Sequence, residues 1–124
     1  LETATLAVAR WLEDCPHVEA VLHPALPSCP GHDHWKRDFT GSASVFSFTF
    51  KDSLSAKQVE TFLDSLAIFR IGLSWGGVTS LAVVYPDLDR PGQDFGGRLV
   101  RLNIGMEATA DLIADLESAM TAAF

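Results

Sequence analysis

The stretch Ser44–Lys51, SVFSFTFK, decides the fold that we predict for this chain. Phenylalanine occupies every second position, at Phe46, Phe48 and Phe50, with smaller or polar residues between. Because successive side chains of a strand point to opposite faces of the sheet, the three rings share one face. The stretch therefore predicts a strand with one face packed on a core.

Helical patterns lie on both sides of this strand. Ser55 and Gln58 have the capping-box spacing, which predicts that a helix begins just after the strand. Its expected apolar stripe consists of Val59, Phe62, Leu63, Leu66 and Phe69. An earlier helix over Leu1–Asp14 is predicted to end before Pro16, because proline lacks the N–H that a helix interior needs.

The other elements follow from apolar alternation and from turn-forming residues. We predict strands over Val18–His23, Leu81–Tyr85 and Leu99–Ile104, one or two helical turns over His32–Phe39, a surface loop over Asp87–Gly97 and a last helix over Thr109–Ala123. Thr109 is the expected N-cap of the last helix, since its hydroxyl can accept a bond from a free backbone N–H.

These elements predict an α+β fold with two layers, in which helices cover one side of a mostly antiparallel sheet of about four strands. The length of 124 residues fits a single domain over residues 1–124. The chain opens on Leu1, already in a helical pattern and without Met. We therefore expect it to be a fragment of a longer protein.

Charge and composition narrow the classes of function. The net charge of −7 argues against a nucleic-acid partner and against an anionic membrane surface, since both need clustered cations. No apolar stretch has the length of a membrane span. Two cysteines, Cys15 and Cys29, are too few for a disulfide scaffold, which favours a reduced, cytoplasmic setting.

The stretch Ile71–Gly77, IGLSWGG, is the first candidate site. Its paired glycines let the main chain approach a ligand closely, Ser74 offers a hydroxyl, and Trp75 offers a flat wall with one N–H donor. The alternative is a plain helix-to-strand turn with a tryptophan in the core, because glycine-rich turns are common.

Arg101 is the second candidate. Alternation along its strand puts Val100 and Leu102 in the core and Arg101 on the opposite face, with Leu99 and Asn103. A guanidinium suits a carboxylate that accepts two parallel hydrogen bonds. The alternative is a solvated arginine, or one paired with a nearby aspartate.

Other chemistry finds less support. Cys29, His32, Asp33 and His34 fit no standard zinc spacing, so no metal site is predicted. Nothing in the sequence sets the separation of the two cysteines, and a disulfide between them is not expected. The three lysines, Lys36, Lys51 and Lys57, have no apolar pocket that would lower a pKa.

Several separated blocks resemble the C-terminal domain of the cystathionine β-lyases, in the Cys/Met-metabolism family of fold-type-I enzymes that depend on pyridoxal phosphate (PLP). The blocks are SWGG at Ser74–Gly77, Ser80-Leu81, VRLNIGME at Val100–Glu107, DLIADL at Asp111–Leu116, VLHPALP at Val21–Pro27, Gly31-His32, WKRDFTG at Trp35–Gly41 and FRIG at Phe69–Gly72. They occur in the order of the family and cover essentially the whole chain.

The resemblance implies that Arg101 binds the α-carboxylate of an amino-acid substrate and that Ser74 and Trp75 help to hold it. It further implies that the full enzyme uses PLP to split L-cystathionine, or a related thioether, into homocysteine, pyruvate and ammonia, a step of transsulfuration and methionine biosynthesis. Trp75 marks the β-lyase side of the family. The family's PLP-binding lysine and phosphate cup lie in a large N-terminal domain. We therefore expect no cofactor site, no catalytic residue and no lyase activity in these 124 residues.

The resemblance also implies partners, namely the chain's own PLP-binding domain and other copies in a tetramer. The sequence departs from the family's pattern at Leu73, where Tyr is common, at Thr79, where Glu is usual, and at Asn103, where His is common. These departures bear on substrate preference more than on the fold. The alternative function is a stand-alone, non-enzymatic α+β module that binds small carboxylates or a protein partner.

Overall fold

The structure is a computed structural model that describes residues 1–85 and 95–124. Its elements are α1 (Glu2–Glu13), β1 (Val18–Leu22), α2 (His32–Asp38), β2 (Val45–Phe50), α3 (Ala56–Asp64), β3 (Arg70–Ile71), β4 (Leu81–Tyr85), β5 (Leu99–Asn103) and α4 (Thr109–Ala123). The strands form one sheet in the order β1-β2-β5-β4-β3, antiparallel except where β3 pairs with β4. Helices α1 and α3 pack on α4 and contact the sheet. The predicted two-layer α+β architecture is confirmed.

The core forms where the phenylalanine strand meets the helices. Phe46, Phe48 and Phe50 of β2 are all buried, as predicted. The ring of Phe50 lies 5.0 Å from that of Phe48 and 5.1 Å from that of Phe62 on α3, in edge-to-face geometry in both pairs. Burial of a ring of this size stabilises the fold by about 1.5–3 kcal/mol relative to an exposed ring. The Phe50–Phe62 ring pair thus links β2 to α3 in the core.

Helix α3 begins as predicted and ends earlier. The backbone N–H of Gln58 donates to Ser55 Oγ (3.1 Å) and that of Ser55 donates to Gln58 Oε1 (2.9 Å), which completes the capping box. The helix stops at Asp64, so Leu66 and Phe69 do not belong to its stripe, although Phe69 is buried. The prediction of one continuous stripe through Phe69 was wrong, because the chain unwinds after Ser65.

A buried carboxylate holds the segment that follows α3. Asp115 of α4 accepts hydrogen bonds from the N–H groups of Ala67 (2.8 Å), Ile68 (2.8 Å) and Phe69 (3.0 Å). These bonds satisfy backbone donors that have left the helix, and they direct the chain into β3. At two residues β3 is too short to show alternation, which is why the sequence predicted about four strands and the sheet has a fifth among the described residues.

Two further predictions need comment. The N-cap of α4 is Ala108, without a side-chain cap bond, and Thr109 is the first helical residue, so the predicted Thr109 cap was wrong. The Ala108 carbonyl accepts hydrogen bonds from the N–H groups of Asp111 (3.0 Å) and Leu112 (3.1 Å). The loop predicted over Asp87–Gly97 falls for the most part on residues 86–94, which lie outside the described residues. None of the described helices is long and apolar enough to cross a membrane.

Replacing the buried carboxylate should loosen the segment after α3. We expect Asp115→Asn to lower the free energy of unfolding by about 2 kcal/mol. The neutral amide has one acceptor oxygen, whereas the carboxylate has two charged ones for its three N–H donors. Urea denaturation measures this change. Glu117→Gln, at an exposed position of the same helix, is the control and should cost far less. Equal effects of the two substitutions would contradict the assigned role of Asp115.

Candidate functional site

Arg101 lies at the centre of the sheet. It belongs to β5, the middle strand, and stands opposite Ser47 of β2 and Val83 of β4 in the register. Its neighbours Val100 and Leu102 are buried in the core, while Arg101 is half-buried on the other face, as the alternation predicted. That face is not uniformly wet, because Leu99 and Asn103 on it are buried.

The guanidinium of Arg101 reaches the segment between β3 and β4, residues 72–80, which we call the bend. Its Nη1 donates to Tyr85 Oη (2.9 Å) and its Nη2 donates to the carbonyl oxygen of Leu73. Its Cζ lies 5.3 Å from the ring centroid of Trp75, within the range of a cation–π contact. Within residues 1–85 and 95–124, Arg101 has no carboxylate partner. In the described structure Arg101 is therefore neither fully solvated nor paired with an aspartate.

The bend itself presents its side chains outward. Ser74 and Trp75 are both exposed, and Trp75 retains 63% of its accessible surface, so the alternative of a core tryptophan is excluded. Gly76 has φ +79°, in the left-handed region that other residues rarely adopt. The structure thus brings the three residues singled out from the sequence, Arg101, Ser74 and Trp75, to one place.

A buried amide fastens the middle of the bend. Asn103 Oδ1 accepts hydrogen bonds from the Gly76 N–H (2.9 Å) and from Ser44 Oγ (3.0 Å), and its Nδ2 donates to the Thr79 carbonyl (3.2 Å). Asn103 is almost completely buried, and its bond to Ser44 is shielded from water, while its bonds to Gly76 and Thr79 are partly buried. At this position, one of the departures from the family's pattern, the side chain holds the shape of the bend.

The far end of the bend is held by Glu107 and Ser80. The carboxylate of Glu107 accepts from Ser80 Oγ (2.7 Å) and from the Ser80 N–H (3.1 Å). Partial burial opposes ionisation of Glu107, but the hydrogen bonds from Ser80 outweigh it and lower the pKa of the carboxyl. Gly105 lets the Val78 carbonyl approach the chain after β5, because a Cβ at position 105 would stand 2.2 Å from the carbonyl oxygen of Val78.

An exposed apolar surface surrounds the bend. Its members expose between 60% and 71% of their surface and are Ile71, Leu73, Trp75, Val78 and Met106, which we call the apolar collar. Met106 is tied to the bend through its N–H, which donates to the Val78 carbonyl (2.8 Å). Exposed apolar residues grouped in one segment of the chain, with Met106 bonded to it, are typical of surfaces that contact a partner or a ligand.

The remaining candidates form no site in the described structure. Among residues 1–85 and 95–124, no group of three or more His, Cys, Asp or Glu side chains could hold a metal. Cys15 and Cys29 are free thiols. Burial, with smaller contributions from Glu117 and Asp14, raises the pKa of Cys15 to about 11, which keeps it protonated at neutral pH.

The contacts that shape the bend were missed by the sequence analysis. Tyr85, Asn103 and Glu107 act through hydrogen bonds to residues that are distant in the chain. Alternation along Leu81–Tyr85 could have put Tyr85 on the face that carries Val83. The register between strands, which the sequence does not reveal, was needed to bring it to Arg101.

The Glu107 contact should make stability depend on pH. A carboxyl whose pKa is lower in the folded state stabilises the fold above its unfolded pKa, about 4.3, and this contribution is lost as the pH falls through the folded pKa. We expect Glu107→Gln to lower the free energy of unfolding by about 1–2 kcal/mol at pH 7, and expect its deficit to shrink towards pH 3. Urea denaturation between these pH values measures it, with Glu19→Gln, exposed on β1, as the control. A deficit that stays constant with pH would contradict the assignment.

Comparison with known proteins places this geometry in a family. The sequence profile of the Cys/Met metabolism PLP-dependent enzymes matches residues 2–121. Cystathionine beta-lyase MetC of Escherichia coli (strain K12) is 46% identical over 124 residues, which cover 93% of this chain and 31% of that protein. Cystathionine gamma-lyase of Bos taurus is 40% identical over 126 residues, which cover 95% of this chain and 31% of that protein. The chain thus spans about a third of the length of the curated relatives that it matches.

A solved structure agrees with the sequence matches. A Campylobacter jejuni protein assigned as an O-acetylhomoserine (thiol)-lyase, which carries N'-pyridoxyl-lysine-5'-monophosphate, superposes with a TM-score of 0.80 at 27% identity. The superposition covers 97% of this chain and 27% of that one. The resemblance predicted from the blocks is confirmed: the chain belongs to the family of Cys/Met metabolism PLP-dependent enzymes.

Proposed function

We propose that this chain is the C-terminal, substrate-carboxylate-binding domain of a PLP-dependent cystathionine β-lyase. The longer enzyme would cleave L-cystathionine, or a related thioether, by β-elimination. The observation that carries the proposal is the position of the Arg101 guanidinium. It lies beside the bend and has no carboxylate partner among the described residues. Identity of 46% to a cystathionine beta-lyase supports the choice of reaction.

The donors at the bend fit an amino-acid carboxylate. A guanidinium carries five N–H donors, and Tyr85 and Leu73 accept two of them. In the described part of the chain, the Ser74 hydroxyl and the Trp75 indole N–H make no hydrogen bond. A carboxylate held by Arg101 and one of these groups would have its orientation fixed. That orientation would place the Cα–H bond of the substrate for proton removal.

The cofactor of the family does not fit the lysines of this chain. Lys36, Lys51 and Lys57 are all exposed, and Lys57 lies 3.6 Å from Glu60 in a surface ion pair. PLP supplies the electron sink of this chemistry, and we assign its binding to the rest of the enzyme. The part played by residues 1–124 is to bind and orient the substrate.

The exposure of the apolar collar favours the proposal that a partner covers it. The collar surrounds the bend, and the chain spans about 31% of the length of its relatives. We propose that the PLP-binding domain of the same protein packs on the collar and closes the site around the carboxylate. The tetramer that the resemblance implies and the cytoplasmic location that the few cysteines favour stay predictions.

The isolated chain should form no stoichiometric covalent adduct with PLP at any one lysine. We expect that incubation with excess PLP, followed by borohydride reduction, leaves no stoichiometric pyridoxyl group on any one lysine, because all three are exposed and lack a pocket. Intact-mass spectrometry and peptide mapping measure this. A single lysine modified to completion would contradict the assignment of the cofactor to another domain.

Arg101→Lys in the longer enzyme tests the proposed function. A lysine keeps the charge and loses the planar pair of donors, which should cost about 1.5–3 kcal/mol, or about 10- to 150-fold in kcat/KM for L-cystathionine. Steady-state kinetics measure the loss. Arg10→Lys, exposed on α1, is the matched control and should leave kcat/KM unchanged. Full activity of Arg101→Lys would refute the carboxylate role, and a longer protein without any cleavage activity would favour the non-enzymatic module.

A further inference from the structure

Tyr85 stands diagonally across the strand pair from Arg101. In the antiparallel register of β4 and β5, Val83 faces Arg101 and Tyr85 faces Leu99. Because Tyr85 is two residues from Val83, its side chain shares the face of the sheet on which Arg101 lies. Diagonal neighbours on one face are within reach of long and aromatic side chains.

Tyr85 contacts the guanidinium in two ways. Its hydroxyl oxygen accepts a hydrogen bond from Arg101 Nη1 at 2.9 Å, and its ring centroid lies 5.8 Å from Arg101 Cζ. The Leu73 carbonyl accepts from Nη2, so each terminal nitrogen of the fork has one protein acceptor. Ser47, which faces Arg101 from β2, makes no hydrogen bond to it.

We infer that Tyr85 is a positioning residue for Arg101, which sets the direction of the guanidinium before a carboxylate arrives. The inference rests on the proposed carboxylate role of Arg101. It goes beyond that role because it names the side chain that orients the fork, a residue that lies outside the blocks of the family resemblance.

The physical reason is the freedom of a long side chain. An unrestrained arginine on a sheet face samples many rotamers. A ligand that binds only one of them loses affinity, because the side chain loses conformational entropy on binding. The Tyr85 hydroxyl and the Leu73 carbonyl restrict the fork in the free protein and leave three N–H donors for the ligand. Removing one restraint should therefore weaken binding of substrate and leave the chemical step unaltered.

The test compares three variants of the longer enzyme with L-cystathionine as the substrate. Tyr85→Phe keeps the ring and removes the acceptor. Ser47→Ala removes a hydroxyl from the opposite flank of Arg101 and is the matched control. Arg101→Lys reports on the proposed function itself. We expect Tyr85→Phe to raise KM about 3- to 10-fold with kcat within about twofold of the wild type, and Ser47→Ala to change neither.

A second measurement, on the 124-residue chain, follows the fork directly. The side-chain ¹⁵N signals of Arg101, assigned by their loss in Arg101→Lys, should move towards those of free arginine in Tyr85→Phe and stay in place in Ser47→Ala. Unmoved Arg101 signals in Tyr85→Phe, or an unchanged KM of Tyr85→Phe while Arg101→Lys lowers kcat/KM, would overturn the inference and leave the proposed function standing. An unchanged kcat/KM in Arg101→Lys would overturn both.

Discussion

The two-residue period of β5 and of the chain that follows it ties the core to the site. Val100, Leu102 and Ile104 are completely buried, while the residues at positions 101, 103, 105 and 107 contact the bend. Arg101 donates to Leu73, and Asn103 bonds to Gly76 and Thr79. Gly105 leaves room for the Val78 carbonyl, and Glu107 accepts from Ser80. A shift of one residue in the register would expose the core side and bury the guanidinium. Packing of the core and the shape of the bend are therefore one constraint.

The polarity of the site follows from the same arrangement. The chain carries a net charge of −7, yet the bend gathers one arginine, two aromatic rings and an apolar collar. A partner that covers the collar would exclude water and strengthen the attraction between Arg101 and an anion. The buried amide of Asn103 and the ionised Glu107 keep the backbone of the bend in place. Hydrogen bonds within the protein thus preorganise the site before a ligand binds.

How far the sequence could predict this structure depends on the range of each interaction. Local signals gave the phenylalanine strand, the capping box at Ser55 and the face on which Arg101 lies. Long-range partners could not be predicted, because neither the register of β4 on β5 nor the packing of α4 on the chain after α3 is written in a local pattern. For that reason Tyr85 and Asp115 had no predicted role, and the two-residue β3 was missed. The family resemblance supplied Ser74 and Trp75 with a role that periodicity alone could not have assigned.

The most direct test of the account is a crystal structure of the longer enzyme with an unreactive thioether amino acid bound. We expect the carboxylate of this ligand to lie within about 3 Å of the guanidinium nitrogens of Arg101, with a second donor from Ser74 or Trp75. We also expect the Tyr85 hydroxyl still to accept from Nη1. A ligand whose carboxylate is bound elsewhere, while Arg101 faces solvent or pairs with an aspartate, would contradict the account.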